Sequence, residues 1–198
     1  MKLTQEGPII LVDADNVLYK WEEKFIADVL DIDPTYPIIP LGKRTEMEMR
    51  DNDGVESELI IKVKTRPGFY FELEPIEGAK EALEAMEAAG FRVFICTAPS
   101  LSNPTCASDK HAAITRDFGR KWADRTIITK DKTLVHGDAL IDDKPEVTGV
   151  MQPSWEHFVF DQSYNRHVAN QRINGDWSNW EEVLKPLMAK YGAKVVSA

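Results

Sequence analysis

The sequence predicts a three-layer α/β fold, in which helices cover both faces of a parallel sheet. Short, nearly continuous apolar runs alternate with amphipathic helical patterns along most of the chain, and this alternation is typical of a parallel sheet. Strands that are buried on both faces show such continuous apolar runs. A chain of 198 residues is long enough for one buried core with a small insertion.

Five apolar runs are predicted to form the strands. Four of them are clear, and ALIDD at 139–143 is a shorter fifth candidate. The clear runs are PIILVD (8–13), FRVFICT (91–97), DRTIIT (124–129) and HFVFD (157–161). Because helical patterns separate most of them, we expect these strands to run parallel.

The helical patterns that separate or follow the strands lie at 77–90, 109–122 and 179–192. Gly90 ends the first of them and supplies a natural C-cap. Pro186 lies inside the last pattern, where we expect it to kink or split the helix.

Residues 20–75 interrupt this rhythm. They are rich in Pro, Asp and Glu and show one clear helical pattern, WEEKFIADVL. A cap over the carboxyl ends of the strands would occupy this place, which is where ligands bind in open α/β sheets. We therefore predict a core of residues 1–19 and 76–198 and a cap of residues 20–75. The acidic run EMEMRDNDGVESE (46–58) is expected to be a solvated face of that cap.

The composition excludes several classes of function. A formal net charge of −9 makes duplex DNA an unsuitable partner, because DNA binding needs a broad basic surface. The two cysteines, Cys96 and Cys106, form no CxxC pair, so neither a zinc site nor a disulfide framework is predicted. We expect Cys96, which lies in an apolar run, to be a core residue.

No apolar stretch in the sequence indicates membrane targeting. The N-terminal segment lacks an apolar run long enough for a signal peptide. No segment approaches the ~20 apolar residues that span a bilayer. We therefore expect a cytoplasmic protein with no membrane role, and a homodimer is left open.

Acidic, hydroxyl and lysine side chains stand where the predicted strands end. The residues are Asp13 and Asp15 after the first strand, Thr97 at the end of the second, Lys130 and Lys132 after the third, and Asp142 and Asp143 after ALI. Since parallel strands all point the same way, these groups should converge on one crevice.

Each group in this crevice suits a step in the cleavage of a phosphate ester. Clustered carboxylates repel one another unless a divalent cation neutralises them, and oxygen ligands beside a phosphate favour Mg²⁺. One carboxylate can attack phosphorus, and a second can protonate the leaving oxygen. A hydroxyl and a lysine can hold the phosphoryl oxygens. A lone DxD or Asp-Asp pair is weak evidence, because Asp often caps helices and turns, but the ordered combination is specific.

The order DxDxV, then Thr, then Lys, then Asp-Asp resembles the haloacid-dehalogenase phosphatases. Within them, the chain most resembles the 5'(3')-deoxyribonucleotidases. The resemblance covers residues 9–21 and about 71–168, and stretches such as VFICTAPS, TIITKDKTLVHGDALIDDKPEVTG and PSWEHFVFDQSYNRHV carry it. It implies a Rossmann-like haloacid-dehalogenase core with a small, mostly helical cap inserted after the first strand.

The resemblance also implies roles for individual residues. Asp13 would be the nucleophile and a magnesium ligand, and Asp15 the general acid and base that also ligates the metal through its backbone carbonyl. Asp143 would ligate magnesium, with Asp142 beside it, directly or through water, and the residue types alone do not decide between these two. The residues that would hold the phosphate are Thr97, Ala98 and Lys132.

The sequence departs from the family at three places. Asn16 stands where the family usually has glycine, and asparagine tolerates the positive φ that this loop requires. Lys130 and Lys144 stand where arginine is common, so a bidentate phosphate clamp becomes a point charge. The aromatic residues that stack on the base in this family are not evident between Gly42 and Val55.

Candidate substrate contacts therefore come from elsewhere in the chain. Trp21 and Tyr70 are the best placed to stack on a base, although packing is the commoner role for such residues. The neighbouring Phe69 and Phe71 could likewise either stack on a base or serve in packing. Lys130 is a further substrate contact. Core positions are expected for the other tryptophans, Trp155, Trp177 and Trp180. Structural or surface roles are expected for His111, His136, His157 and His167, which lack metal-binding spacing.

These observations predict a magnesium-dependent phosphomonoesterase that converts deoxyribonucleoside monophosphates to nucleoside and phosphate through an aspartyl-phosphate. A 3'- or 5'-end phosphatase acting on nucleic acid is an alternative with the same core. A phospho-receiver signalling module is another, but its phosphoacceptor aspartate would lie on a middle strand before the Thr, where VFICT has none. A purely structural α/β module is the remaining alternative.

Overall fold

A parallel six-stranded sheet forms the centre of the protein in the computed structural model, which describes residues 7–51 and 53–196. The strands are β1 (Ile9–Val12), β2 (Arg92–Thr97), β3 (Thr126–Ile128), β4 (Ala139–Asp142), β5 (Glu156–Phe160) and β6 (Arg172–Ile173). They are ordered β3-β2-β1-β4-β5-β6, and every neighbouring pair is parallel. The predicted α/β fold with a parallel sheet is confirmed, and each predicted run overlaps one strand. Only β6 lies outside them, because two residues are too few to show an apolar pattern.

The helices of the described residues are α1 (Trp21–Ile32), α2 (Glu58–Thr65), α3 (Ala79–Ala88), α4 (Cys106–Asp117), α5 (Arg120–Ala123) and α6 (Trp180–Val196). The prediction of one helix over 109–122 is wrong, because the chain breaks at Gly119 (φ +93°) between α4 and α5. Pro186 lies inside α6 without splitting it. The buried side chains of Leu184 and Leu187 hold the helix on the core on either side of Pro186, which offsets the hydrogen bond that proline removes.

The two faces of the sheet belong to different apolar clusters. Ile10 and Val12 of β1 join the main core, together with apolar residues of α3 and α6. Leu11, which points to the opposite face, joins a smaller cluster with Cys96 and Trp155. The predicted core position of Cys96 is confirmed, since its side chain is fully buried. Trp155 and Trp177 are likewise buried, and Trp180 is half-buried against the main core.

Strand β1 lies where the direction of the strand order reverses. The chain adds β2 and β3 on one side of β1 and then crosses to add β4, β5 and β6 on the other. Such a reversal leaves a crevice beyond the carboxyl ends of the central strands, where α/β proteins bind ligands. The loops that follow β1, β2 and β4 therefore surround one site.

The two ends of the segment between β1 and α3 lie side by side, close to the carboxyl end of β1. The Lys20 N–H donates to the Glu74 carbonyl (2.9 Å), and the Ile76 N–H donates to the Leu18 carbonyl (2.8 Å). Between these crossings, α1 and α2 contact each other. The division into a core of 1–19 and 76–198 and a cap of 20–75 remains a prediction, and its residues 1–6, 52 and 197–198 lie outside the described residues.

Two features of this insertion are not indicated by the sequence pattern. Helix α2 is a second helix, although its run ELIIKVKT has no clear helical periodicity; Ser57 caps it, and Ile60 and Val63 are buried. The stretch 46–58 is not wholly solvated, because Met49 and Asp51 are buried. Met49 joins the main core, and the Asp51 carboxylate accepts backbone N–H groups within its own turn. Every helix of the described residues is too short or too polar to cross a lipid bilayer.

Candidate active site

Three buried carboxylates meet at the carboxyl ends of β1 and β4. Oxygen atoms of Asp13, Asp142 and Asp143 all lie within 4.8 Å of one another. The buried Lys132 ammonium lies 2.6 Å from Asp13 Oδ1 and 2.5 Å from Asp142 Oδ2. The sequence-based expectation that these acids and this lysine converge is therefore confirmed.

A single lysine leaves this carboxylate cluster short of positive charge. Burial alone would lower the pKa of Lys132, but Asp13 and Asp142 raise it well above its ordinary value. Burial would raise the pKa of Asp142, yet Lys132 holds it below the usual range. Burial, Asp142 and Asp13 together raise the pKa of Asp143 well above its ordinary value. An added divalent cation would let Asp143 ionise, so the donor set fits a magnesium ion.

Asp142 and Asp143 face different surroundings. Asp142 is fully buried, and its carboxylate accepts hydrogen bonds from Lys132 and from the Lys144 N–H (3.0 Å). Asp143 instead lines the cavity above the carboxylates. This difference supports Asp143 as the residue that would ligate a metal directly.

A second buried lysine, Lys110 of α4, holds Asp15. Its ammonium donates to Asp15 Oδ2 (2.7 Å), Thr97 Oγ1 (2.8 Å) and the Ala98 carbonyl (3.0 Å), and it lies 5.1 Å from the centre of the Tyr70 ring. Burial raises the pKa of Asp15, although Lys110 opposes the shift. Asp15 Oδ1 has no hydrogen-bond partner among the described residues, and Asp15 lines the cavity. That oxygen is buried beside the cavity, and no described side chain or backbone group satisfies it.

The structure places Thr97 behind the cavity surface. Thr97 is fully buried, with its hydroxyl bound to Lys110, whereas Ala98 and the following residues line the cavity. Lys130 is exposed at the end of β3 and also lines the cavity. Ala98 and Lys130 are thus open to the cavity, whereas Thr97 lies beneath its surface and contacts Lys110. The phosphate-binding roles of these residues stay predictions.

One cavity of about 270 Å³ joins the floor carboxylates to the inserted segment. Trp21 and Tyr70, the two candidates for base contacts, both line it. Each is also held by packing: Trp21 stacks on Phe25 at 5.0 Å, and Tyr70 meets Phe69 edge-on at 5.2 Å. Phe69 is fully buried and serves in packing. The remaining lining residues are Asp13, Asp15, Asn16, Arg44, Met47, Met49, Lys64, Ala98, Pro99, Ser100, Lys130, Asp143, Lys144 and Tyr164.

The wall formed by the inserted segment contains residues that no sequence pattern indicates. Met47 and Met49 stand in the stretch 42–55, which has no aromatic residue, and Lys64 of α2 lines the same cavity. Arg44 is buried and donates two hydrogen bonds to Glu22 of α1, each 2.9 Å long.

The turn after β1 confirms the expectation for Asn16. Its φ is +55°, a left-handed conformation that asparagine tolerates better than most residues. The Asn16 side chain does what glycine could not do, because its amide donates to Tyr164 Oη (3.0 Å) and to Asp143 Oδ2 (3.3 Å). Its carbonyl oxygen accepts the Glu22 N–H (2.9 Å).

One signal in the sequence could have identified Lys110. Cys106, Lys110, Ala113 and Ile114 form the buried stripe of α4, and a lysine within an apolar stripe needs a buried acid. No comparable signal marks Arg44 or Tyr164, which lie in segments without helical or strand periodicity. The acidic group with metal-binding geometry contains no histidine among the described residues. The four histidines are half-buried or exposed.

Comparisons with known proteins place these features in one family. The model of the family described as "5' nucleotidase, deoxy (Pyrimidine), cytosolic type C protein" matches residues 7–191. The human cytosolic-type 5'(3')-deoxyribonucleotidase is 37% identical over 185 residues, covering 88% of this chain and 92% of the human protein. The human mitochondrial 5'(3')-deoxyribonucleotidase is 36% identical over 186 residues, covering 88% of this chain and 81% of that protein.

A solved structure agrees with the fold. A haloacid dehalogenase-like family hydrolase from Xanthomonas campestris superposes with a TM-score of 0.54 at 17% identity, covering 96% of this chain and 99% of that one. At this identity the likeness concerns the arrangement of strands and helices. The predicted haloacid-dehalogenase fold is confirmed by it.

Proposed function

The chain belongs to the 5'(3')-deoxyribonucleotidase family of haloacid-dehalogenase-type phosphomonoesterases, and we propose that it hydrolyses deoxyribonucleoside monophosphates to nucleoside and phosphate. The observation that carries the proposal is the pair Asp13 and Asp15, set on one cavity floor and held by different lysines. Family membership removes the phospho-receiver and purely structural alternatives.

Asp13 is the proposed nucleophile. In the first step its carboxylate oxygen forms a bond to phosphorus while the bond from phosphorus to the nucleoside oxygen breaks. Asp15, whose raised pKa favours a bound proton, gives that proton to the leaving oxygen. In the second step Asp15 takes a proton from water, the water oxygen attacks phosphorus, and the bond to Asp13 breaks to release inorganic phosphate.

Magnesium is the proposed cofactor, held by the Asp13 and Asp143 carboxylates and the Asp15 backbone carbonyl, with Asp142 behind them. When bound, it would neutralise the floor carboxylates and the negative charge of the phosphate. Lys132, the backbone at Ala98 and the exposed Lys130 bind the remaining phosphoryl oxygens, and Thr97 orients the loop through Lys110.

The wall of the inserted segment is proposed to enclose the nucleoside. Trp21 and Tyr70 offer aromatic surface, and Met47 and Met49 offer flexible, polarizable surface. Such a wall excludes water from the reacting phosphate, as closing lids do. A cytoplasmic location and a homodimer stay predictions.

Release of phosphate from deoxyribonucleoside monophosphates should require a divalent cation. The measurement is a screen of deoxy- and ribonucleoside monophosphates with Mg²⁺ and with excess EDTA. We expect turnover of deoxyribonucleotides with Mg²⁺ and loss of turnover in EDTA, because the floor carboxylates repel phosphate when no cation is bound. Undiminished turnover in EDTA would exclude the magnesium mechanism.

Monophosphates should be better substrates than oligonucleotides that carry a terminal phosphate. A polymer needs an open channel with basic flanks, whereas residues of the inserted segment form one wall of this cavity, and the stretch 46–58 carries mostly acidic charges. The comparison is kcat/KM for a monophosphate against a short 3'- or 5'-phosphorylated oligonucleotide at equal salt. A clear preference for the oligonucleotide would favour the end-processing alternative.

A further inference from the structure

An arginine and a glutamate are buried together at the wall of the cavity. The side chains of Arg44 and Glu22 are 2% and 4% exposed, and their paired hydrogen bonds form a bidentate contact. The Arg44 guanidinium also donates to the carbonyls of Glu46 (3.2 Å) and Met47. Burying two charges is costly unless their hydrogen-bond geometry is good. Because it contacts both Glu22 of α1 and the backbone at Glu46 and Met47, Arg44 holds the 43–51 segment, which contains Met47 and Met49, against α1.

The same arginine reaches the carboxylate floor through Tyr164. Its guanidinium lies 4.2 Å from the centre of the Tyr164 ring, and the Tyr164 hydroxyl donates to Asp143 Oδ2. Tyr164 is itself buried, so this hydroxyl is held against the carboxylate by packing. A cation over the ring also withdraws electron density and strengthens that donor.

The hydrogen bonds of Asn16 join Glu22, Tyr164 and Asp143 into one network. Its amide donates to both Tyr164 and Asp143, while its carbonyl oxygen accepts the Glu22 N–H. Arg44 and Glu22 come from the inserted segment, and Tyr164 and Asp143 come from the core. One oxygen of Asp143 is therefore oriented by groups whose positions depend on how the inserted segment is docked.

A role in stability alone does not explain why this network of Arg44, Glu22, Asn16 and Tyr164 includes Asp143. An ion pair that served only to dock the segment could end on any apolar or polar surface of the core. This network ends on Asp143, which lines the cavity and belongs to the group of three carboxylates whose spacing could hold a metal ion. Groups that hydrogen-bond to metal ligands fix their orientation and tune their affinity for the metal.

We propose that Arg44 and Tyr164 are positioning residues for Asp143, so that docking of the 43–51 segment and binding of a divalent cation strengthen each other. The proposal rests on the metal site of the proposed function. Such coupling is reciprocal: if docking orients Asp143 for the metal, then the metal must favour docking by the same factor. Metal binding would thus set Met47 and Met49 in the cavity wall before the nucleotide arrives.

The direct test is isothermal titration of Mg²⁺ into the metal-free protein. Tyr164→Phe removes the hydroxyl and keeps the ring, and Arg44→Lys keeps the charge but loses the bidentate fork. We expect each to weaken Mg²⁺ binding about tenfold, as loss of such supporting groups does elsewhere. Arg66→Lys is the matched control. Arg66 makes a similar bidentate contact with Glu72, and its side-chain hydrogen bonds within the described part of the chain go to Glu72 and Asp28 rather than to Asp143 or Tyr164.

Limited trypsin digestion gives a second readout that does not depend on turnover. Lys43, Arg44 and Arg50 are cleavage sites within the docked segment, and Arg44→Lys preserves all of them. We expect Mg²⁺ to slow cleavage there in the natural protein and in Arg66→Lys, and to slow it much less in Tyr164→Phe and Arg44→Lys.

The outcomes separate this inference from the proposed function. Failure of the natural protein to bind Mg²⁺ would overturn the metal site and the coupling together. Binding of Mg²⁺ with natural affinity and natural protection by Tyr164→Phe would overturn only the coupling. If Tyr164→Phe weakened binding and Arg44→Lys did not, the part assigned to the inserted segment would be wrong.

Discussion

Replacing Asp13 with asparagine is expected to lower kcat/KM for phosphate release by about 10⁴-fold or more while the fold is retained. The amide keeps the shape of the carboxylate but cannot attack phosphorus, and removal of an enzymatic nucleophile has effects of this order. Lys132 keeps its contact with Asp142 in the variant, so no buried lysine is left without an acid. The measurement is steady-state phosphate release beside a thermal unfolding curve.

The control for this variant is Asp124→Asn. Asp124 is an exposed aspartate whose only ion pair among the described residues is with the exposed Arg120, so its loss should leave turnover unchanged. A rapid quench with radiolabelled substrate should trap phosphate on the natural protein in acid-stable, hydroxylamine-sensitive form, and none on Asp13→Asn. Full turnover by Asp13→Asn would exclude covalent catalysis through this residue.

The sequence predicts the floor of the site better than its walls. Asp13, Thr97 and Asp143 are fixed by chain direction, because each follows a strand of one parallel sheet and the carboxyl ends of such strands share an edge. Their meeting needs no knowledge of which helix packs where. Arg44 and Tyr164 are different, since they reach the site from loops whose docking depends on contacts across the whole chain.

Lys110 illustrates the same limit. Its partner Asp15 lies 95 residues earlier in the chain, and local patterns cannot pair residues at that distance. Only the apolar stripe around Lys110 indicates that its side chain is buried. Helix α2 escapes sequence-based prediction for a related reason: it contacts α1, and tertiary packing rather than intrinsic propensity stabilises most short helices.

Two different lysines hold the two neighbouring carboxylates of Asp13 and Asp15. Lys132 lies against Asp13 and Asp142 at the floor, whereas Lys110 lies behind Asp15 and contacts one of its oxygens. Burial still raises the pKa of Asp15. The proposed nucleophile and the proposed proton donor thus have different charged partners, although both residues line the same cavity.

Asp15→Asn should therefore slow turnover of a deoxyribonucleoside monophosphate by ~10²–10⁴-fold, the usual contribution of a general acid or base. Asparagine keeps an oxygen that can accept from Lys110, so the supporting contacts to Thr97 and Ala98 are retained. Binding of inorganic phosphate, measured as competitive inhibition, should be unchanged. Asp31→Asn, an exposed aspartate on α1, is the control and should match the natural protein.

An aryl phosphate separates the two steps in which Asp15 acts. A nitrophenolate leaves without needing a proton, so Asp13 should still be phosphorylated readily in Asp15→Asn, whereas a nucleoside alkoxide needs the missing acid. Hydrolysis of the aspartyl-phosphate would lack its general base in Asp15→Asn with either substrate. We therefore expect a burst of nitrophenol close to the amount of enzyme, followed by slow release, because the aspartyl-phosphate accumulates. Equal slowing of the first turnover with both substrates, and no burst, would assign Asp15 to positioning rather than to proton transfer.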